Sequence, residues 1–380
     1  MINRIGKIVR RVREREPCSL EDITSRSGVP YAVLVALEQG MPSITTTQLH
    51  NLARALSLDP TALLNGREVP RRTPSVFLRH ASMQDFDDRD MAILADALEQ
   101  GRSLSNLRSL LGEPPLALQA GVFTQRTAPT DRPDAPAQDG YQLAREVRRW
   151  LGNVSEPLGD MRTLLEERFG IAVVVHSLQT CRVTAAAVRA EGHGAIVVNA
   201  RDPQRAVNAL LTRVHLSHEL CHMLFDPSPG GLQIVIDSIA DRKCHAAEQR
   251  ARAFAAELLL PILGLTPLLG NPRALDETDT ALDLVAKARS RFATPHDIAA
   301  NHLSNLMFID LRLREWLEAG RTNFTGTPPA TTLPDSGAPS RLVAEYTARA
   351  HSDGNLTDGE ARAILGIDRL APLPWDEATL

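Results

Sequence analysis

Apolar positions along this chain recur mostly at three- and four-residue spacing, the signature of helices with one buried face. Up to about residue 64 they fall in short stretches cut by turn signals at Glu16-Pro17, Ser27-Gly28, Gly40-Met41-Pro42 and Asp59-Pro60. That spacing predicts five short helices in one compact unit. Ser19 followed by Asp22 starts the second, and Leu49, Leu52, Ala53 and Leu56 share a face of the helix expected over 45–56. Residues 83–111 repeat the pattern, with Met91, Leu94, Ala95 and Leu98 on one face and a second apolar run after a break at Gly101. These read as bridging helices. Residues 125–140, QRTAPTDRPDAPAQDG, carry no periodicity and read as a flexible linker.

Beyond it the pattern changes. Helices are expected over 143–151 and 160–169, followed by strand-like runs of branched residues at 171–175 and 195–198, the second bounded by Gly192 and Gly194. Helical spacing returns over 203–225, 240–260, 282–292 and 296–308. A Pro- and Thr-rich linker at 325–340 precedes a small helical tail. The expected division is a helical unit (1–68), bridging helices (69–124), a linker (125–140), a helix-dominated α+β unit (141–324), a second linker (325–340) and the tail (341–380). The fold class is mostly α, with α+β in the second unit.

Composition narrows the class. A chain of 380 residues exceeds one ordinary domain, and 43% apolar with 23% charged residues is the balance of a globular protein without a bilayer-spanning run. Arg10, Arg11, Arg13 and Arg15 follow the opening residues where a signal core would be apolar, and four scattered cysteines build no disulfide framework. The expected location is the cytoplasm, with no membrane partner. Aromatic content of 4% argues against base-stacking platforms. The net charge of -4 is uneven, because residues 1–72 carry a basic excess of roughly +4.

Candidate chemistry sits in His218-Glu219-Leu220-Cys221-His222. Imidazoles four residues apart on a helix point the same way and can reach one ion. Zinc takes neutral imidazole readily, and a catalytic Zn2+ needs three protein ligands with a fourth position left for water. Glu219, one step round the helix, is placed to take a proton from the attacking water and pass it to the leaving amine. The five-residue pattern arises by chance on the order of once per hundred chains of this length, so its surroundings matter. Leu210, Leu211, Val214, Leu220, Met223, Leu224 and Phe225 give them the apolar character of a buried helix. For the third ligand, the next helix offers Glu248 and Glu257, half a turn out of phase, so only one can face the ion. Glu248 shares its face with Ala251 and Ala255, which let two helices approach closely, and is the expected ligand. Cys244 and His245, one turn earlier on that side, stay as alternatives. His296, His302 and Tyr346 are candidates for stabilising an oxyanion.

The stretches LLTRVHLSHELCHMLFD (210–226) and EQRARAFAAELLLP (248–261) resemble the ImmA/IrrE family of metallopeptidases, which pairs a helix reading HELGH with one reading ExxANxFAAxLLMP. The likeness runs from about Tyr141 to about Phe308, with Cys221 in place of the usual Gly and Arg252 in place of the usual Asn. It implies a zincin-like fold, Zn2+ held by His218, His222 and Glu248, and a protein substrate, typically a transcriptional repressor carrying a helix-turn-helix. Residues 19–64 resemble the helix-turn-helix domain of XRE/Cro-type regulators, with Thr24, Gly28, Val29, Glu38, Gly40 and Pro42 at framework positions. The reading helix, PYAVLVAL at 30–37, offers base edges only Tyr31 as a polar group, while Arg4, Lys7, Arg10, Arg11 and Arg26 can reach phosphates. DNA is thus one possible partner of residues 1–64, another protein docking on that apolar face a second, and a homodimer a third. Two functions follow: a regulatory zinc endopeptidase that cuts a repressor in a stress or prophage response, or a DNA-binding regulator that uses the peptidase-like unit as sensor or dimerisation module.

Overall fold

The computed structural model describes residues 2–15, 19–41, 44–56, 58, 63, 76–78, 88–179, 183–190, 192–201, 209–227, 232–238, 246–269, 278–313, 333, 335–368 and 371–376. The first unit holds α1 (Ile2–Arg15), α2 (Leu20–Ser27), α3 (Tyr31–Glu38) and α4 (Thr46–Ala55). Thr45 and Gln48 cap α4 reciprocally, each amide donating to the other's side-chain oxygen at 3.0 and 3.2 Å. Val9, Val29, Leu34, Leu37 and Leu52 share one core, and an Arg13–Glu38 ion pair ties α1 to α3. The fifth expected helix, the boundary near residue 68 and most of the 325–340 linker lie outside the described residues.

The second unit is built on a sheet of β1 (Val76–Leu78), β2 (Ile171–His176), β3 (Val183–Ala190), β4 (His193–Asn199) and β5 (Leu232–Ser238), in the order β1-β5-β3-β4-β2. β2 runs parallel to β4, β3 runs antiparallel to both β4 and β5, and β1 runs parallel to β5. Helices cover both faces, so β2 and β4 are buried at nearly every position rather than at alternate ones. On one face Ala172, Val174, Ala186 and Val197 meet Leu94, Ala97 and Leu98 of α5 (Asp88–Leu110). Contrary to the expected break, α5 runs straight through Gly101. A Cβ there would come within 2.4 Å of the Gly194 carbonyl oxygen, so the glycine lets the helix lie on β4. α5 is a layer of this unit and not only a bridge.

On the other face Ile171, Val173, Ala185, Ile196 and Val198 bury against α6 (Ala135–Leu151), α7 (Met161–Leu164, continued by a π-helical turn to Phe169), α8 (Ala209–Phe225) and α9 (Ala246–Leu259). Aromatic rings interlock here: Phe123 meets Trp150 and Phe225 edge-on, with centroids 5.5 and 5.6 Å apart. α10 (Ile262–Leu265), α11 (Thr278–Phe292) and α12 (His296–Asn305) close a further core around Leu260, Leu284, Phe292 and Leu303. The stretch Ala246–Leu268 is apolar and long enough to cross a membrane by composition, yet it lies mostly inside this unit, with Glu248, Arg250 and Glu257 buried along it.

Segment 125–140 is not a free linker. Ala128 within it and Phe123 just before it are buried, the Arg126 amide donates to the Phe225 carbonyl at 2.8 Å, and α6 starts at Ala135. Pro136 is tolerated because the first helical turn has no partner for an amide anyway. Gly140 lies where α6 meets α9. A Cβ on it would come within 2.2 Å of the Arg250 carbonyl oxygen and 2.9 Å of the Phe254 amide nitrogen, and backbone cannot swing aside. Gly140→Ala is therefore expected to cost about 1–3 kcal/mol, read as a lower denaturant midpoint. An unchanged midpoint would contradict this account of the crossing.

The tail forms α13 (Arg341–Ser352) and α14 (Asp358–Leu365), the latter opened by a Thr357–Glu360 capping box. It docks rather than hangs. The Gly337 amide donates to the Val175 carbonyl on β2 at 2.8 Å, the Ser340 hydroxyl donates to Glu166 at 2.8 Å, and Leu342 and Val343 bury against Leu104 and Leu107 of α5.

Candidate metal centre

Two local features bring the chemistry together. The four-residue spacing stacks His218 and His222 on one face of α8, and α9 shares with that helix a core that includes the small, buried Ala251. The Nε2 atoms of His218 and His222 are 3.0 Å apart, and Glu248 stands 3.2 Å from the first and 3.4 Å from the second. All three side chains are buried, and their donor atoms fall within 4.8 Å of one another. Zinc bonds of about 2.0–2.1 Å in a tetrahedron set ligand atoms roughly 3.3 Å apart, close to the spacings here. Among the described residues, the buried Oε1 atom of Glu248 makes no hydrogen bond of good geometry, His222 Nε2 lying 3.4 Å away, as suits an atom with an ion to bind. The donor set thus fits zinc.

Residues 166–304 match the Peptidase_M78 family model, described as the IrrE N-terminal-like domain. A search of curated proteins found no match. The family implies a metal, typically zinc, and the match suggests a metallopeptidase. The matched residues contain α8, α9 and all three converging side chains.

Its electrostatics are coupled. Burial opposes charge on His222, but Asp226 and Glu248 outweigh it and hold the imidazole well above its ordinary pKa; both imidazoles in turn hold Glu248 well below the carboxylate range despite its burial. A cation entering the site therefore competes with a proton. Glu219 is fully buried, one residue after His218 on α8. Cys221 points into the apolar core, where burial pushes its thiol well up, so it behaves as a small hydrophobe. Cys244 and His245 lie outside the described residues.

Sequence reasoning missed the polar support behind the imidazoles. His222 Nδ1 bonds Asp226 at 2.9 Å, and Asp226 is in turn paired with the fully buried Arg250; burial pushes the carboxyl up, but His222 first and Arg250 second outweigh it and hold it down to about 2. Arg250 also reaches Asp139 of α6, itself paired with Arg126. The available signal was spacing: Asp226 stands four residues past His222, on the same face as both imidazoles. Arg189, on β3, caps the end of α8 by donating to the Met223 and Asp226 carbonyls.

Glu257 faces away from the imidazoles. Its Oε1 accepts from Arg145 Nε at 2.8 Å and its Oε2 lies 3.2 Å from His302 Nε2. Nine residues of helix put it about 13.5 Å along α9 from Glu248, so His302 is engaged far from the His218, His222 and Glu248 cluster. Tyr346 is likewise committed elsewhere, donating to Glu113 at 2.9 Å, and His296 is buried at the start of α12. Burial raises Glu257, but its bonds from His302 and Arg145 prevail and leave its pKa lowered. A lowered folded pKa means stability present above the unfolded value of about 4.3 and lost as pH falls through the folded one. Wild type is thus expected to lose melting temperature more steeply below about pH 4.3 than Glu257→Gln. Parallel pH profiles would refute that role.

In the first unit, Arg4, Lys7, Arg10 and Arg11 are exposed on α1, with Arg10 paired to Glu14, and Tyr31 is exposed at the start of α3. The side chain of Arg26 lies outside the described residues.

Proposed function

We propose that this chain is a zinc-dependent regulatory endopeptidase whose substrate is a helix-turn-helix transcriptional repressor, cut in a stress or prophage response. The observation that carries this reading is the convergence of His218, His222 and Glu248 from two helices, with Glu219 buried beside them. When bound, zinc supplies Lewis acidity to the scissile carbonyl and makes water a better proton donor. His218 and His222 hold it through Nε2 and Glu248 through a carboxylate oxygen. Glu219 takes the proton of the attacking water on its carboxylate and delivers it to the leaving nitrogen. Residues 1–64 serve as an XRE/Cro-type helix-turn-helix domain, and the exposed cations of α1 supply phosphate contacts whose affinity falls with salt.

Co-purification of the chain with the product of the adjacent gene, followed by mass mapping of any cut, tests this reading. It predicts a single defined cleavage that needs added zinc and is lost on chelation. A partner that stays intact with the zinc-loaded chain contradicts it.

A further inference from the structure

Behind His222 stands a continuous relay of charged groups. Asp226 Oδ2 receives the His222 Nδ1 proton at 2.9 Å, and Asp226 Oδ1 accepts from the guanidinium of Arg250. Arg250 is fully buried and held from two more sides, donating to the Arg126 carbonyl at 2.9 Å and to Asp139 Oδ2 at 3.4 Å. Arg126 closes the chain by pairing with the other oxygen of Asp139. Two carboxylates and two guanidinium groups balance, so the relay adds no net charge to the metal site.

We propose that Arg250 and Asp139 are positioning residues for the metal centre, acting through Asp226 on His222. The proposal rests on the zinc-site reading above. An imidazole bound through Nε2 must carry its proton on Nδ1, and the acceptor of that proton fixes both tautomer and ring angle. Here the acceptor is itself clamped. A carboxylate held on one side only could turn about its own bonds, whereas Arg250 holds Asp226 from α9, and Asp139 holds Arg250 from α6. Arg250 lies two residues past Glu248, so one helix supplies the third ligand and also steadies the second. The fork geometry matters: lysine keeps the charge but cannot span two carboxylates and a carbonyl. The relay also ends in the segment before α6, where Arg126 donates its amide to Phe225 at the end of α8.

The test uses the full chain and two readouts: zinc affinity by chelator competition, and the visible absorption of the Co2+-substituted protein, which reports ligand geometry. Arg250→Lys and Asp139→Asn are each expected to weaken zinc binding about 10–100-fold and to shift the Co2+ bands, with the far-ultraviolet dichroism unchanged. Lys287→Ala, exposed on α11 and paired with Asp283, should alter neither. If Arg250→Lys does not fold, Asp139→Asn decides. Wild-type affinity and an unshifted Co2+ spectrum in folded Asp139→Asn would overturn the proposal. His218→Ala separates the two failures: if it too binds zinc like wild type, the metal site itself is wrong, and if it loses zinc while the relay variants do not, only the relay is.

Discussion

Glu219→Gln is expected to cut peptide-bond cleavage by about 10²–10⁴-fold while zinc stays bound. The amide keeps the size and most of the shape of the carboxylate, so the fully buried position loses no volume. What it loses is basicity. A neutral amide cannot take a proton from water or hand one to a leaving nitrogen, and that exchange is the only step assigned to Glu219. The residue follows His218 by one position, about 100° round the helix, which sets it beside the ion rather than on it. Metal content should therefore be indifferent to the change. Cleavage quantified by mass spectrometry, with metal analysis on the same sample, checks both halves. Activity within about tenfold of wild type would remove Glu219 from the mechanism.

His222→Ala carries the second large effect, and it falls on binding and stability together. The ring is completely buried and contacts three groups: His218 Nε2, Glu248 and Asp226. Its removal deletes a ligand and leaves Asp226 with Arg250 alone and Glu248 with His218 alone among the charged groups described around them. Stoichiometric zinc should be lost. The stabilisation that zinc gives wild type, about 2.7–4.1 kcal/mol at 100–1,000 times the dissociation constant, should vanish with it. Thermal melting with and without zinc reads this directly: wild type gains, the variant does not. Glu257→Gln is the matched control, a buried carboxylate on the same helix that faces Arg145 and His302, and it should keep the zinc-dependent gain. A zinc-dependent shift that survives in His222→Ala would refute the assignment of that imidazole.

The centre was legible because its geometry is local. Two imidazoles four residues apart must share a helix face, and half a turn of phase separates Glu248 from Glu257 whatever the rest of the fold does. β2 and β4 were legible for a similar reason, as short runs of branched residues bounded by glycine or a helix end. What could not be read was decided by distant contacts. β3 is half alanine, a poor strand former whose place comes from burial on both faces between β4 and β5. Gly101 looked like a break because its partner, Gly194, is far away in sequence. The polar run at 125–140 looked like a linker because Arg126 and Asp139 have their partners on α9. The support of His222 was hidden in that same run.

Anomalous X-ray scattering at the zinc edge from crystals of the full chain tests the central claim most directly. The account predicts one peak about 2.0–2.2 Å from Nε2 of His218, Nε2 of His222 and a carboxylate oxygen of Glu248. A chain purified with zinc that shows no peak there, or one with Glu248 turned away from it, would contradict the account.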